Sequence, residues 1–93
     1  MELFLVIDNT ISNIFNKCIV GVMDIYYVLD YIQERINDFE DYILDDEDFI
    51  MPDFDELENE LRNMPFGDDI CIRLPGTDDY IDIIKVPVYK DQD

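Results

Sequence analysis

Acidic side chains recur at helical spacing through the middle of this chain. Asp30, Glu34 and Asp38 are each four residues apart, and Asp41 and Asp45 extend the line. On a helix, residues four apart lie ~5–6 Å from each other, which is comparable to the separation of successive phosphates along a nucleic-acid strand. Each like-charge pair of this kind disfavours a helix by about 0.2–0.5 kcal/mol. Because such a row disfavours the helix that carries it, its presence is better explained by a function. We therefore expect its carboxylates to bind a partner.

Residues 38–60, which we call the acidic segment, hold twelve carboxylates and neither Lys nor Arg. Apolar side chains recur through the segment every three or four residues, which is typical of a folded amphipathic stretch. Asp53, Glu56 and Glu60 form a second short row in it, and Tyr side chains, which are favoured anchors in protein interfaces, lie close to the rows. The candidate partner-binding residues are Asp30, Glu34, Asp38, Asp41, Asp45, Asp46, Glu47, Asp48, Asp53, Glu56, Glu60, Tyr27, Tyr31 and Tyr42.

The net charge of −18, from 24 acidic and 6 basic residues in 93, narrows the classes of partner. It exceeds the magnitude of roughly 2–8 that suffices to keep a small domain soluble, and self-repulsion at this level destabilises a compact fold. Direct binding of DNA or RNA needs clustered Lys and Arg, and an anionic membrane surface repels such a chain. The charge therefore predicts a positively charged protein partner. A halophilic origin, or an acidic surface without a partner, is the alternative.

The sequence offers little for catalysis or for metal binding. It contains no His, and Ser12 is its only serine, which excludes His-based general bases and triads. It also contains no glycine-rich nucleotide-binding motif. The EF-hand pattern fails, because a loop that starts at Asp53 has Leu57 at a ligand position. We expect no enzymatic activity, no cofactor and no dedicated metal site.

The sequence shows no segment for secretion or for membrane spanning. The apolar run at residues 3–7 follows an acidic residue and ends at another. The apolar stretch from Cys18 is broken by Asp24, short of the ~20 residues that a transmembrane helix needs. We therefore expect a cytoplasmic protein in which Cys18 and Cys71 are buried, reduced and inert.

The hydrophobic pattern of the first half predicts a strand followed by a long helix. Residues 3–7 are bulky and apolar, as in a buried strand. Apolar residues at intervals of three and four then predict a helix over about residues 9–43, kinked or broken near Gly21, where helix propensity is lowest. The alternative places residues 17–23 in a second strand that forms a hairpin with the first, so that the helix begins at Asp24.

The second half predicts a loop, a helix and a hairpin. Four consecutive acids place a loop near residues 44–48. Asp53 is a suitable N-cap for a second helix over about residues 53–63. Residues 69–88 then alternate around a Pro-Gly turn and predict a C-terminal β-hairpin. Residues 1–93 are therefore expected to form a single α+β domain, with a three-stranded antiparallel sheet packed by helices.

In its size, its composition and its mixture of carboxylate rows with Tyr, the chain resembles the small DNA-mimic inhibitors that phages and mobile elements make against host defence enzymes. The resemblance is to this class and not to a particular family. It implies that the carboxylates stand in for phosphates in the nucleic-acid channel of a CRISPR effector or restriction enzyme, in the host cytoplasm. One alternative is an immunity or antitoxin-like protein that neutralises a co-encoded basic nuclease toxin. A second is a cation-binding or structural acidic module.

Overall fold

The structure is a computed structural model that describes residues 2–9 and 19–87. These residues form an α+β domain with four strands and two helices. The elements are β1 (Leu3–Asp8), β2 (Ile19–Met23), α1 (Ile25–Asp38), α2 (Phe54–Asn63), β3 (Asp69–Arg73) and β4 (Tyr80–Val86), with a short 3₁₀ helix at Glu40–Tyr42. The strands are all antiparallel and lie in the order β2-β1-β4-β3.

Residues 19–23 form a strand, which corrects the prediction of one long helix over about 9–43 and of a three-stranded sheet. Ile19, Val20 and Val22 are β-branched and favour strand. Gly21 has φ of +151°, a conformation that glycine adopts most readily. The alternative of a β1–β2 hairpin is confirmed over these residues, whereas the predicted helix at 10–18 falls outside the described part of the chain.

The helix boundaries follow from local capping. α1 begins after Asp24, whose side chain accepts a hydrogen bond from the Tyr27 N–H at 3.1 Å. α2 begins after Asp53, whose carboxylate accepts from the N–H groups of Asp55 and Glu56. The predicted second helix, its cap and the C-terminal hairpin are therefore confirmed. β4 ends at Val86, directly before Pro87, but it is an inner strand of the sheet and not an edge.

One face of the sheet is covered by both helices and holds the core. Alternate residues of the inner strands point to this face, and Phe4, Val6, Ile81 and Ile83 are all fully buried. The helices contribute apolar residues at three- and four-residue intervals, which is the spacing of a single helix face. These are Ile25, Val28, Ile32 and Ile36 of α1 with Leu57 and Leu61 of α2.

The opposite face of β1 is only partly covered, which corrects the prediction that β1 is buried throughout. Leu3, Leu5 and Ile7 are all partly exposed, whereas Phe4 and Val6, which alternate with them, are fully buried. The sequence of β1 is apolar on both faces, but the described elements pack on only one of them. No helix in the described residues combines the length and the apolar character needed to cross a bilayer.

A buried carboxylate ties α1 to the end of β1. Asp8 has no exposed surface, and it accepts hydrogen bonds from the Tyr31 hydroxyl at 2.5 Å and from the Arg35 Nε at 2.8 Å. Burial of Tyr31 and its hydrogen bond to the Asp8 carboxylate raise the pKa of the Tyr31 hydroxyl. The hydroxyl therefore remains a donor over the physiological pH range, and it fixes α1 against the sheet.

We predict that Tyr31→Phe lowers the free energy of unfolding by about 1–3 kcal/mol, because it removes a donor from a buried carboxylate. Tyr27→Phe is the matched control, since it makes the same chemical change on a ring that is 67% exposed. Urea unfolding followed by circular dichroism measures both. Equal stabilities of the two variants would contradict a structural role for the Asp8–Tyr31 contact.

Candidate functional site

The outward side of α1 carries the first predicted charge row. Because the buried residues of α1 lie on the sheet side, Asp30, Glu34 and Asp38 lie on the opposite side, and all three are exposed. Tyr27 is one turn before Asp30 and is also exposed. We call these four residues the α1 acidic face.

A shallow groove with a volume of about 370 Å³ runs beside the α1 acidic face. It is lined by Met23, Tyr27, Asp30, Tyr31 and Glu34. Four of these, all except Met23, were predicted from the sequence as acids or tyrosine anchors of the binding surface, and the structure brings them together. Carboxylates beside tyrosine rings provide both an ion-pair partner and an aromatic face for a guanidinium or ammonium group. The groove is therefore chemically suited to an Arg or Lys side chain.

The charge of this face is not balanced from within the described part of the chain. Arg35, Arg62, Arg73 and Lys85 are the basic residues there, and each forms a salt bridge. The acids in those salt bridges are Asp8, Asp38, Glu58, Asp46 and Glu2. Within the α1 acidic face, Asp38 is thus paired with Arg35 at 2.9 Å, and Asp30 and Glu34 carry the uncompensated charge.

The acids of the predicted loop line a second hollow, of about 690 Å³, together with Tyr42 and the β3–β4 turn. Asp45, Glu47 and Asp48 are exposed there. Tyr42 packs so closely on the turn that Gly76 has no room for a side chain. A Cβ added at Gly76 would lie 2.6 Å from the Tyr42 Cβ. Gly76 also has φ of +75°, so this position needs glycine for two reasons.

Asp46 differs from its neighbours because it holds the loop to the sheet. Its carboxylate accepts from Arg73 Nη1 at 2.8 Å and Nη2 at 3.2 Å, and from the Gly76 N–H at 2.8 Å. These hydrogen bonds, with the one from Arg73 the largest contribution, lower the pKa of the Asp46 carboxyl to about 2. Its charge is used to position the loop, and it is a poor candidate for contact with a partner.

The remaining predicted residues lie outside the groove and the hollow. Asp41 is exposed on the 3₁₀ helix, and Asp53 uses its carboxylate to cap α2. Glu56 and Glu60 are exposed on α2, away from its buried Leu residues. α2 packs beside α1 in the same layer, so this second row lies on the same side of the sheet as the first.

Cys71 is exposed, which corrects the prediction that it is buried. It lies on edge strand β3, on the face of the sheet that the helices leave uncovered. Its thiol donates to Asp82 Oδ1 at 3.3 Å, and Asp69 is also close. Partial desolvation and these two carboxylates raise the pKa of the thiol to about 11. Period-two alternation places all three residues on one face, but only the β3–β4 register shows that they meet.

The grouping of Asp69, Cys71 and Asp82 places three possible ligand atoms within 4.8 Å of one another. The thiolate is the form of cysteine that binds metals, and the raised pKa of the Cys71 thiol disfavours it at neutral pH. Desolvation and the neighbouring Asp69 also raise the pKa of Asp82. The group is therefore better described as a protonated thiol that donates to the Asp82 carboxylate.

Neither a protein-family model nor a curated protein or solved structure matches this chain. Its function is consequently inferred from its own residues and their geometry. The feature with the clearest chemical consequence is the α1 acidic face with its adjoining groove.

We predict that Asp46→Asn destabilises the chain at neutral pH and that its effect disappears in acid. The pKa of the folded carboxyl, about 2, is below its ordinary 3.8. Its contribution is therefore complete above pH ~4 and is lost as the pH falls towards 2. Urea unfolding of wild type and variant between pH 7 and pH 2 measures the difference. A difference that stays constant over this range would contradict the assignment.

Proposed function

We propose that this chain is an acidic inhibitor that binds the positively charged nucleic-acid groove of a nuclease and blocks access of the substrate. Its carboxylates take the places of phosphates, and the α1 acidic face is the central contact. A defence nuclease, of the CRISPR or restriction type, is the class of target that the sequence resemblance favours. The proposal is one of binding and not of catalysis, since the chain lacks His and has a single Ser.

The observation that carries this proposal is the uncompensated charge of Asp30 and Glu34. Both are exposed on one helix face, and the basic side chains of the described residues are engaged elsewhere. Like charges one helical turn apart disfavour the helix that carries them. A cationic groove offsets this cost on binding, because each phosphate-binding Arg or Lys gains a carboxylate partner.

The tyrosines give the acidic face a second kind of contact. Tyr27 is largely exposed at one end of the row, and Tyr31 is held in position by its hydrogen bond to Asp8. A ring that is already fixed loses little conformational entropy on binding, which favours affinity. We infer that the carboxylates steer the encounter while the groove between these two rings receives an Arg or Lys of the partner.

Double charge reversal on α1 is the test of the proposed site. We predict that Asp30→Lys with Glu34→Lys weakens inhibition of a sensitive nuclease at least tenfold. Asp68→Lys with Asp79→Lys is the matched control, because it changes the net charge equally at exposed positions outside the α1 acidic face. Asp38 and Asp46 are left unchanged, since they pair with Arg35 and Arg73. Equal losses in the two double variants would contradict a localised site.

The readout is cleavage of a DNA substrate by purified basic nucleases, including a CRISPR effector and a restriction enzyme, at several concentrations of DNA and of NaCl. Inhibition by mimicry is expected to be competitive with DNA and to weaken as NaCl increases. A bound chain that excess DNA does not displace would show that it acts outside the nucleic-acid groove. Inhibition confined to one toxin nuclease would identify the chain as an immunity protein that uses the same acidic face.

A further inference from the structure

The loop between the 3₁₀ helix and α2 exposes large apolar side chains among its acids. We call residues 43–52 the acidic loop. Leu44 and Ile50 are 93% and 85% exposed, and Met51 is 51% exposed. Burial of a Leu or Ile side chain favours folding, so two that remain almost wholly in solvent contribute little to the stability of this fold. Their apolar surface can instead be buried against another molecule.

The acidic loop has a defined conformation although its apolar residues are exposed. Asp46 holds it to Arg73 and to the Gly76 N–H of the β3–β4 turn. The Asp46 carboxylate also accepts from the Asp48 N–H at 3.1 Å. Phe49 packs on the core, with the Arg73 Cζ 6.0 Å from its ring centre. A loop that is ordered before it binds loses little conformational entropy on association.

A tight turn places the two most exposed residues near each other. The Asp46 carbonyl accepts from the Phe49 N–H at 3.2 Å, and the ends of such a four-residue turn lie within ~7 Å. Leu44 comes shortly before the turn and Ile50 directly after it. Their chain neighbours Ile43 and Phe49 pack against the core. The two exposed side chains are therefore presented together from a fixed turn.

A groove of about 310 Å³ between the acidic loop and β3 extends this apolar surface. Phe49, Ile50, Pro52 and Ile72 form its apolar lining. β3 is the edge strand on the far side of the sheet from β2. An apolar side chain of a partner fits such a groove, while the partner in turn receives the exposed residues of the loop.

The acids of the loop define the chemistry of the molecule that fits it. Asp45, Glu47 and Asp48 are exposed, and they form no salt bridge with the described residues. Their charge disfavours nucleic acid and anionic membrane surfaces as partners. A protein surface on which Lys or Arg side chains surround an apolar pocket complements both the charge and the apolar residues.

We propose that the acidic loop is a second contact with the basic protein partner, in which Leu44 and Ile50 enter an apolar pocket bordered by Lys or Arg side chains. The inference rests on the proposed function, because it assigns the loop to the same partner as the α1 acidic face. It adds selection of the target. A row of carboxylates suits many phosphate-binding grooves, whereas an apolar pocket beside the groove distinguishes one target from another.

The acidic loop adjoins the α1 acidic face, so one partner can contact both. Only residues 39–42 separate Asp38 from the loop. The rings of Phe39 and Tyr42 pack edge to face, with their centres 6.1 Å apart. The Arg35 Cζ lies 5.3 Å from the centre of the Phe39 ring. These contacts fix the position of the loop relative to α1.

Removing the apolar side chains without changing the charge tests the proposed contact. Leu44→Thr with Ile50→Thr is expected to raise the dissociation constant for a basic nuclease by about tenfold or more, because the lost apolar surface is buried only in the complex. Ile19→Thr with Val22→Thr is the matched control, since these residues are 52% and 55% exposed on β2, at the other edge of the sheet. Circular dichroism checks that both variants keep the fold.

The dependence on NaCl separates an apolar contact from an electrostatic one. The loop variant is expected to lose affinity by the same factor at every NaCl concentration, because its charges are kept. Asp30→Lys with Glu34→Lys is expected to lose more in low salt than in high salt. A polyarginine peptide, which offers charge without an apolar pocket, is expected to bind the loop variant and wild type equally. Weaker binding of this peptide to the loop variant would overturn the apolar contact.

Isothermal titration calorimetry with the nucleases of the cleavage assay measures these constants. If the loop variant binds as tightly as its control while the α1 double variant loses inhibition, this inference is wrong and the proposed function stands. If the loop variant binds more weakly but excess DNA does not displace wild type, the loop contact is supported and mimicry of nucleic acid is wrong. If wild type binds none of the basic nucleases, both are wrong.

Discussion

The shortage of positive charge is the constraint on which the rest of this structure depends. The sequence has six basic residues, and those in the described part each join two elements of the fold. Arg35 binds the end of β1 from α1, and Arg62 reaches from α2 to the Tyr26 hydroxyl of α1. Arg73 holds the acidic loop, and Lys85 donates to the Arg62 carbonyl at the end of α2.

The contacts of these Arg and Lys side chains distinguish the acids that stabilise the fold from those that do not. Asp8 and Asp46 lie in the part-buried contacts, where a carboxylate satisfies several donors at once. Asp30 and Glu34 lie on the outside of a helix whose stability comes from its apolar side, through Val28 and Ile32. The described fold is thus held together by few cations, and Asp30 and Glu34 of α1 are exposed and take part in none of its salt bridges.

Local signals in the sequence were enough to predict α2 and the C-terminal hairpin. Asp53 is a strong capping residue at the start of α2, and the Pro-Gly turn before β4 separates two stretches of period two. The helix predicted over residues 19–23 was wrong, because Val22 and Ile25 fit a three-residue helical interval as well as a strand end. Residues 19–23 form a strand because β2 pairs with β1, and the spacing of apolar residues alone does not reveal this contact.

The residue types of the candidate site could be predicted from the sequence, but their arrangement in space could be predicted only in part. Helical spacing correctly predicted that Asp30 and Glu34 share an exposed face. It did not separate Asp46 from its neighbours, because the partner of Asp46 is Arg73, 27 residues away in sequence. Nor did it show that Asp8 is buried and bonded to Tyr31, 23 residues away. Both contacts depend on the tertiary arrangement of strands.

We infer that Asp30 and Glu34, the acids of the α1 acidic face that form no salt bridge with the described residues, do not stabilise the fold. The most direct measurement is the free energy of unfolding of Glu34→Gln in low salt, compared with wild type. Removing the charge between Asp30 and Asp38 removes two like-charge pairs, so it should leave stability unchanged or raise it by up to about 1 kcal/mol. A loss of more than about 1 kcal/mol would show that Glu34 has a structural partner, and would contradict the account.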